Sequence, residues 1–428
     1  MSFPSEMLLA CAFWACLAAV AYAYAGYPLV IWSLSRLFGR RAGAPLLADD
    51  ELPSLSLLVA AHNEETEIEG RLVNALAMDY PPEKLEIVVA CDGCTDSTAD
   101  IVRRFEGRGV RLLQFTRRRG KCAALNSVIP GLKGDVVMLS DANTHTDPDA
   151  ARSLARWFRD PAVGVVCGRL VLTDPKTGRN ADSLYWKYET FLKKCEGRLG
   201  ALLGANGGIY AIRRELFAPV PDDTLIEDFV IPLEARLRTG CEIVYEPAAV
   251  AREETPAEVA AEFQRRSRIG AGGFQCLGRL WPLLNPGQGW VAFTFWSHKV
   301  ARWLCPFALL GLLATSFALS DTVFYFFALV AQAAFYLTAY AAGRIPGQSR
   351  PVKLLRLTTL FTAMNTALLA GFFRWLQGSQ KAAWVRTPRL AGAAVNGTAW
   401  PVKPRRTWLA RLWAPLPGFA APRSGRPV

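Results

Sequence analysis

The chain has 428 residues, a net charge of +12 and 51% apolar residues, enough for one large or two ordinary domains. That positive balance would suit nucleic acid, but no nucleic-acid-binding motif is present; membrane phosphates and an anionic small molecule account for it better. The ten cysteines lack metal spacing, and the three histidines (His62, His145, His298) are too few for a histidine-based metal site. Cys91 and Cys94 form a CxxC, but the Asp and Gly between them argue against a redox or zinc role.

The first element is Met7–Ser35, which carries no charged residue. A membrane helix needs about 20 residues. With no basic residue ahead of it, the stretch reads as a retained anchor rather than a signal peptide. Arg36, Arg40 and Arg41 follow at once, whereas Met1–Glu6 holds no Lys or Arg, so the middle of the chain is expected on the cytoplasmic side of the cell (inner) membrane.

Residues 53–250 alternate between short apolar runs and helix-like stretches. Strands are predicted at 55–60, 85–90, 110–115, 135–140 and 163–168. Helices are predicted over Glu64–Met78 and Asp96–Phe105, from Lys121, and over Pro148–Phe158. Such alternation predicts an α/β fold with a mostly parallel sheet covered on both faces. Gly270–Gly289, rich in Gly, Pro and Trp, reads as a membrane-surface connector.

Three more uncharged stretches follow: Leu304–Ser320, Thr322–Gly343 and Leu357–Phe373. Asp321 marks the turn of a helical hairpin between the first two. The basic residues Arg344, Arg350, Lys353 and Arg356 place the hairpin exit on the same side as the middle domain. The third stretch is short for a span. If it crosses, the tail 374–428, rich in Lys and Arg and without Asp or Glu, ends outside, although such a tail favours the cytoplasm and anionic lipid. Either that stretch is interfacial or re-entrant, or a piece near Trp296–Trp303 crosses instead.

The chemistry concentrates in three carboxylates. Asp92 and Asp141 each close a β-branched run, which places them at the carboxyl edge of a parallel sheet, where open α/β sheets bind ligands. Arg117, Arg118, Arg119 and Lys121 lie between them in sequence, and acids beside bases suggest a metal-bound diphosphate. Asp141 and Asn143, two apart, offer oxygen ligands on one face of an extended segment for Mg²⁺ or Mn²⁺, which share their shell with phosphate; a polar turn is the alternative. Gly93 permits a sharp bend after Asp92, and Asp96 or Ser97 suits a helix cap. Lys121 opens a helix near the same edge and could meet phosphate. Asp228, after Glu227, is the best candidate base for an acceptor hydroxyl, with helix capping as the alternative. G-A-N-G-G-I-Y at 204–210 offers glycines for close approach to a sugar. No GxGxxG follows the first strand, which argues against an oxidoreductase.

Together, L-L-V-A-A-H-N-E-E, the D-G of Asp92–Gly93, G-K at Gly120–Lys121, S-D-A-N-T, G-A-N-G and I-E-D resemble family-two glycosyltransferases of the GT-A (Rossmann-like) fold, over roughly residues 53–280. The flanking apolar segments resemble the processive branch: hyaluronan, chitin, cellulose and poly-N-acetylglucosamine synthases. The resemblance implies a donor site at Ala61, Glu64, Asp92, Lys121, Asp141 and Arg268. It places a metal at Asp141 and Asn143, with Asn replacing the family's second Asp, and the catalytic base at Asp228. Gly207, Glu227 and Arg265 are expected on the acceptor side. At the family's QxxRW position, Arg265 stands for Gln, Arg268 for Arg and Ile269 for Trp, so an aromatic platform for a sugar ring is missing.

The expected organisation is an N-terminal anchor (1–38), a cytoplasmic GT-A domain (39–280), interfacial and transmembrane helices (281–376) and a basic tail (377–428). The expected reaction is inverting, metal-dependent transfer from a nucleotide sugar, UDP-linked, to a growing polysaccharide. The alternatives are one transfer to a membrane lipid, as in ceramide glucosyltransferase-like enzymes, and a nucleotide-binding membrane protein without turnover. A narrow polymer path needs several surrounding helices, which leaves room for a homo-oligomer or an accessory subunit.

Overall fold

The computed structural model describes residues 3–40, 43, 45–173, 184–254, 259–345 and 349–380. The basic tail beyond residue 380 lies outside them. Helix α1 (Phe3–Ala21) runs through a π-helical stretch at Tyr22–Gly26 into α2 (Tyr27–Leu37). The sheet region follows in the order β1 (Leu55–Ala61), α3 (Ile68–Leu76), β2 (Leu85–Asp92), α4 (Thr98–Arg103), β3 (Val110–Phe115), α5 (Lys121–Val128), β4 (Val136–Asp141), β5 (Thr144–Thr146), α6 (Ala150–Ala155), β6 (Val163–Thr173), α7 (Leu184–Arg198), β7 (Tyr210–Arg213), α8 (Glu227–Thr239) and β8 (Glu242–Glu254). Five helices close the described chain: α9 (Val259–Arg279), α10 (Trp290–Thr294) leading into α11 (Ala301–Ala318), α12 (Val323–Ala342) and α13 (Arg350–Leu376).

All eight strands form one sheet in the order β3-β2-β1-β4-β7-β6-β8-β5. The half built from β1 to β4 is parallel, as the alternation of elements predicts. The other half is mixed: β7 runs antiparallel to β4 and β6, and β5 antiparallel to β8, while β6 and β8 are parallel. The mostly parallel expectation therefore holds for the first half only. The short β5 and β7 and the partly polar β8 lack the longer apolar runs that mark β1, β2 and β4. Pro247 and a register shift after Gly168 interrupt β8, and a proline there is tolerated at an irregularity.

Alternate residues along the strands enter two cores, the period-2 geometry of a sheet covered on both faces. Leu57, Val59, Ile87 and Val89 pack with Ile68 and Leu72 of α3, Val102 of α4 and Leu154 of α6. On the opposite face Leu58, Val88, Val137 and Leu139 join Leu125 of α5, Leu192 of α7 and Phe229 of α8. This second core continues without a break into Tyr27, Ile31, Phe295, Val300 and Trp303. The sheet region is thus packed directly onto the apolar helices.

Among the described residues four helical stretches are long and apolar enough to cross a membrane: Pro4–Leu37, Trp290–Ala318, Val323–Ala342 and Leu354–Leu376. The second begins well before the predicted Leu304 and takes in the Trp296–Trp303 piece, and the last is longer than its sequence stretch. Trp14, Phe324 and Phe327 are exposed on them, as lipid-facing residues would be. Leu319–Thr322 forms the hairpin turn expected at Asp321. Gly270–Gly289 differs from expectation, because α9 stays helical to Arg279 before two short 3₁₀ turns. The reason is packing. A Cβ on Gly371 of α13 would lie 2.6 Å from both Ala271 N and Ser267 O, so the two helix backbones cross in near contact and α9 gains a partner.

Charged groups are buried where α7 meets these helices. Arg302 Nη1 donates to Glu189, and Glu196 Oε1 accepts from Tyr27 OH at 2.7 Å and lies 2.5 Å from His298 Nδ1. Two further Arg302 nitrogens, Nε and Nη2, have no hydrogen-bond partner. Removing one partner of a buried pair costs about 3–5 kcal/mol, because the other charge is left uncompensated. Arg302→Met is expected to lower the thermal midpoint in detergent sharply, and Glu189→Gln/Arg302→Met to recover most of that loss, measured by fluorescence-detected unfolding.

Candidate active site

The site grows from the carboxyl ends of β2, β1 and β4. Ala61 ends β1 and is buried, and the loops after β1 and β2 are tied together. His62 Nδ1 lies 2.6 Å from Asp92 O, Asn63 Oδ1 accepts from Thr95 N at 2.8 Å, and Glu64 N donates to Thr98 Oγ1 at 2.8 Å. Asn63 holds a φ of 56°, a left-handed conformation that Asn tolerates. Glu64 itself is buried. Asp96 rather than Ser97 caps α4, its Oδ1 accepting from Thr98 N at 3.0 Å.

The Asp92 carboxylate accepts two backbone N–H groups, from Arg119 and Gly120, each at 2.7 Å. Gly120 has a φ of +96°, which a side chain would strain, and this turn starts α5 with Lys121 in place. Lys121 Nζ then lies 2.7 Å from Asp141 Oδ1 and 2.6 Å from Glu227 Oε1. Burial alone would lower the Lys121 pKa, but Asp141 and Glu227 hold it well above its ordinary range, so it remains an ammonium.

Asp228 follows Glu227 in the first turn of α8. Its Oδ2 accepts from Gly207 N at 3.1 Å, and a Cβ on Gly207 would lie 3.3 Å from that oxygen, so residue 207 stands directly against the carboxylate. Burial first and the Glu227 charge second raise the Asp228 pKa above 3.8, with Lys121 and Lys193 opposing. A carboxylate poised upward in this way suits a general base.

Asp92, Lys121, Asp141, Glu227, Asp228 and Gly207 are therefore brought together. Arg265 joins them electrostatically: burial would lower its pKa, but Glu253, Glu262 and Asp228 hold it up. Arg268 donates to Leu225 O at 3.2 Å, on the segment leading into Glu227, and Ile269 beside it is exposed. Asn143 turns its amide nitrogen to Glu253 Oε1 at 3.1 Å. Among the described residues no group of three or more His, Cys, Asp or Glu could hold a metal. The Asp141 carboxylate and Asn143 amide oxygen fit a hard cation that keeps most of its shell for phosphate and water.

The sequence pattern did not single out Arg71. It falls on the buried stripe of α3 with Ile68, Leu72 and Ala75, and a cation at that spacing was the available signal. It is 0% exposed; Nη1 donates to Asn74 Oδ1 at 3.0 Å, and Nε and Nη2 have no partner. Burial lowers its pKa to about 10 against the pull of Asp141.

Residues 56–218 match the profile of Glycosyl transferase family 2. That segment is similar to a family-two glycosyltransferase domain. Over 243 residues it is 31% identical to a poly-beta-1,6-N-acetyl-D-glucosamine synthase of Staphylococcus aureus, covering 54% of this chain and 57% of that protein. It is 27% identical over 249 residues to the synthase of the same name from Staphylococcus epidermidis, covering 55% of this chain and 58% of that one. The match thus spans a little over half the length of these relatives. A mannosyltransferase from Pyrobaculum calidifontis, solved with GDP-Man and Mn²⁺, aligns over 87% of this chain and 100% of its own with a TM-score of 0.66 at 23% identity. That likeness shows the GT-A fold, and the match takes in much more than the glycosyltransferase domain.

Asp92 holds the turn that delivers Lys121 to the glycosyltransferase domain's site. Asp92→Ala is expected to cost about 2 kcal/mol, typical of hydrogen bonds lost to a charged group. Thermal melting without donor checks this, since a residue that only touched nucleotide would leave the ligand-free midpoint unchanged.

Proposed function

We propose that the protein is a membrane-anchored, inverting hexosyltransferase that moves a sugar from a nucleotide donor, UDP-linked, to a growing polysaccharide, with its glycosyltransferase domain on the cytoplasmic side of the cell membrane. The observation that carries this is the half-buried Asp228 carboxylate beside Gly207, one residue from the Glu227–Lys121–Asp141 chain of contacts. In this reading Ala61, Glu64 and Asp92 border the nucleotide pocket. Asp228 takes the acceptor hydroxyl proton as that oxygen attacks the anomeric carbon, and the bond from that carbon to the diphosphate breaks with its electron pair leaving on phosphate. Lys121, Arg265 and Arg268 provide fixed positive charge near the leaving group and acceptor. Asp141 and Asn143 are the residues that would hold Mg²⁺ or Mn²⁺, which would offset charge on the diphosphate. The likeness to the two staphylococcal synthases supports a polymeric product. One observation favours a lipid acceptor instead: exposed Ile269 stands where the polymer synthases have a tryptophan.

Purified protein in lipid, given divalent metal and labelled UDP-sugars, tests both readings. Label in a long, glycosidase-sensitive chain is expected; label confined to organic-extractable lipid would establish the single-transfer alternative. Asp228→Asn is expected to lower turnover by about 10²- to 10⁴-fold, the range for a positioned base, while donor binding persists. Unimpaired turnover in Asp228→Asn would point to a different base, and no turnover by either protein would leave the non-catalytic reading.

The same variant has a stability signature. A carboxyl whose folded pKa is raised above 3.8 favours folding while protonated and loses that contribution as pH rises through the folded value. At neutral pH Asp228→Asn should therefore melt at the wild-type temperature or higher, and thermal scans across pH check the sign.

A further inference from the structure

Helix α7 carries Glu189, Lys193 and Glu196, spaced so that they share one face. The two carboxylates are taken by Arg302, His298 and Tyr27 of the apolar helices. Lys193 has no carboxylate within ion-pair distance among the described residues; its ammonium donates to Asn206 Oδ1 and reaches Ala205 O at 3.5 Å. The Ala205–Gly207 turn has three other ties. Asn206 Nδ2 donates to Gly168 O at 2.7 Å, Ala205 N to Asp228 O at 2.9 Å, and Gly207 N to Asp228 Oδ2 at 3.1 Å. The turn is therefore held between α7 and the residue read as the base.

We infer that Lys193 is a positioning residue for the transfer reaction: it fixes the Ala205–Gly207 turn against Asp228 and supplies the positive charge that faces this carboxylate from α7. The inference rests on Asp228 being the base. Other groups also face Asp228. Glu227 is its neighbour on α8, Lys121 comes from α5 and Asp141 from β4. Arg265 and Cys276 of α9, Tyr210 of β7 and Cys167 of β6 complete the set. Lys121 is already matched by two carboxylates, whereas Lys193 is neutralised by none through direct contact. Burial and Glu227 push Asp228 toward its protonated form, and Lys193 opposes them from a neutral hydrogen-bonding site. Without that charge a larger share of the enzyme would hold a protonated, inactive base.

The test uses the full chain in lipid nanodiscs with a labelled UDP-sugar and compares wild type, Lys193→Gln, Lys193→Met, Lys193→Arg and Asp228→Asn. Gln keeps a donor for Asn206 but loses the charge; Met loses both. The acid limb of kcat/KM is expected to move up by about one pH unit in Lys193→Gln, the low end of what one nearby opposite charge does to a carboxylate. Lys193→Met should shift the limb equally and also lower kcat on its plateau, with donor affinity unchanged. Lys193→Arg should restore the wild-type limb. An unmoved limb in Lys193→Gln, with Asp228→Asn inactive, overturns the inference alone. Transfer that survives in Asp228→Asn overturns the assignment of the base, and this inference with it.

Discussion

The ammonium of Lys121 is the constraint on which the site depends. It sits between Asp141, at the end of a central strand, and Glu227, at the start of α8, and each contact is a charge-assisted hydrogen bond partly shielded from bulk water. It ties the start of α8 to the end of a central strand. Because α8 starts there, Asp228 emerges one residue later against the Gly207 backbone. The turn that presents Lys121 is in turn held by Asp92, so one polar chain runs from β2 through α5 to β4 and α8.

The second organising feature is the continuity of one apolar core from the sheet into the apolar helices. In many anchored proteins a linker separates the soluble domain from the membrane, and relative motion is then the default. Here Phe229, next to Asp228, packs with Phe295 and Trp303. The position of Asp228 is consequently referenced to the apolar helices as much as to the sheet. The buried Glu189–Arg302 and Glu196–His298 contacts give this interface a fixed register, since sliding would strand charges in an apolar surround.

How much of this is legible in the sequence depends on whether hydrophobicity reports burial. It does for β1, β2 and β4, whose uninterrupted apolar runs end in or beside the acids that matter, and so Asp92 and Asp141 could be placed at one edge from pattern alone. It does not for α7, where buried Glu189 and Glu196 occupy positions that an amphipathic reading assigns to solvent. Nor does it for β8, where a proline and flanking charges hide a strand. Arg71 and Lys193 escape notice for a related reason: a lone cation in a helix reads as surface until its surroundings are known. Asp228 was identifiable only through the company of other motifs, because acids at helix starts are common. The close crossing of α9 and α13 depends on Gly371, far along the chain, so no local window could reveal that α9 remains helical.

That crossing bears on the order in which the protein is made. The arginines at 265 and 268 ride on α9, and α9 rests on the backbone of α13 at a point where even a methyl group would not fit. During translation α9 leaves the ribosome well before α13, so a nascent chain holds the sheet, its acids and Lys121 but not the surface that seats α9. Seating of the arginines at 265 and 268 is thereby contingent on α13, the last helix among the described residues to be made.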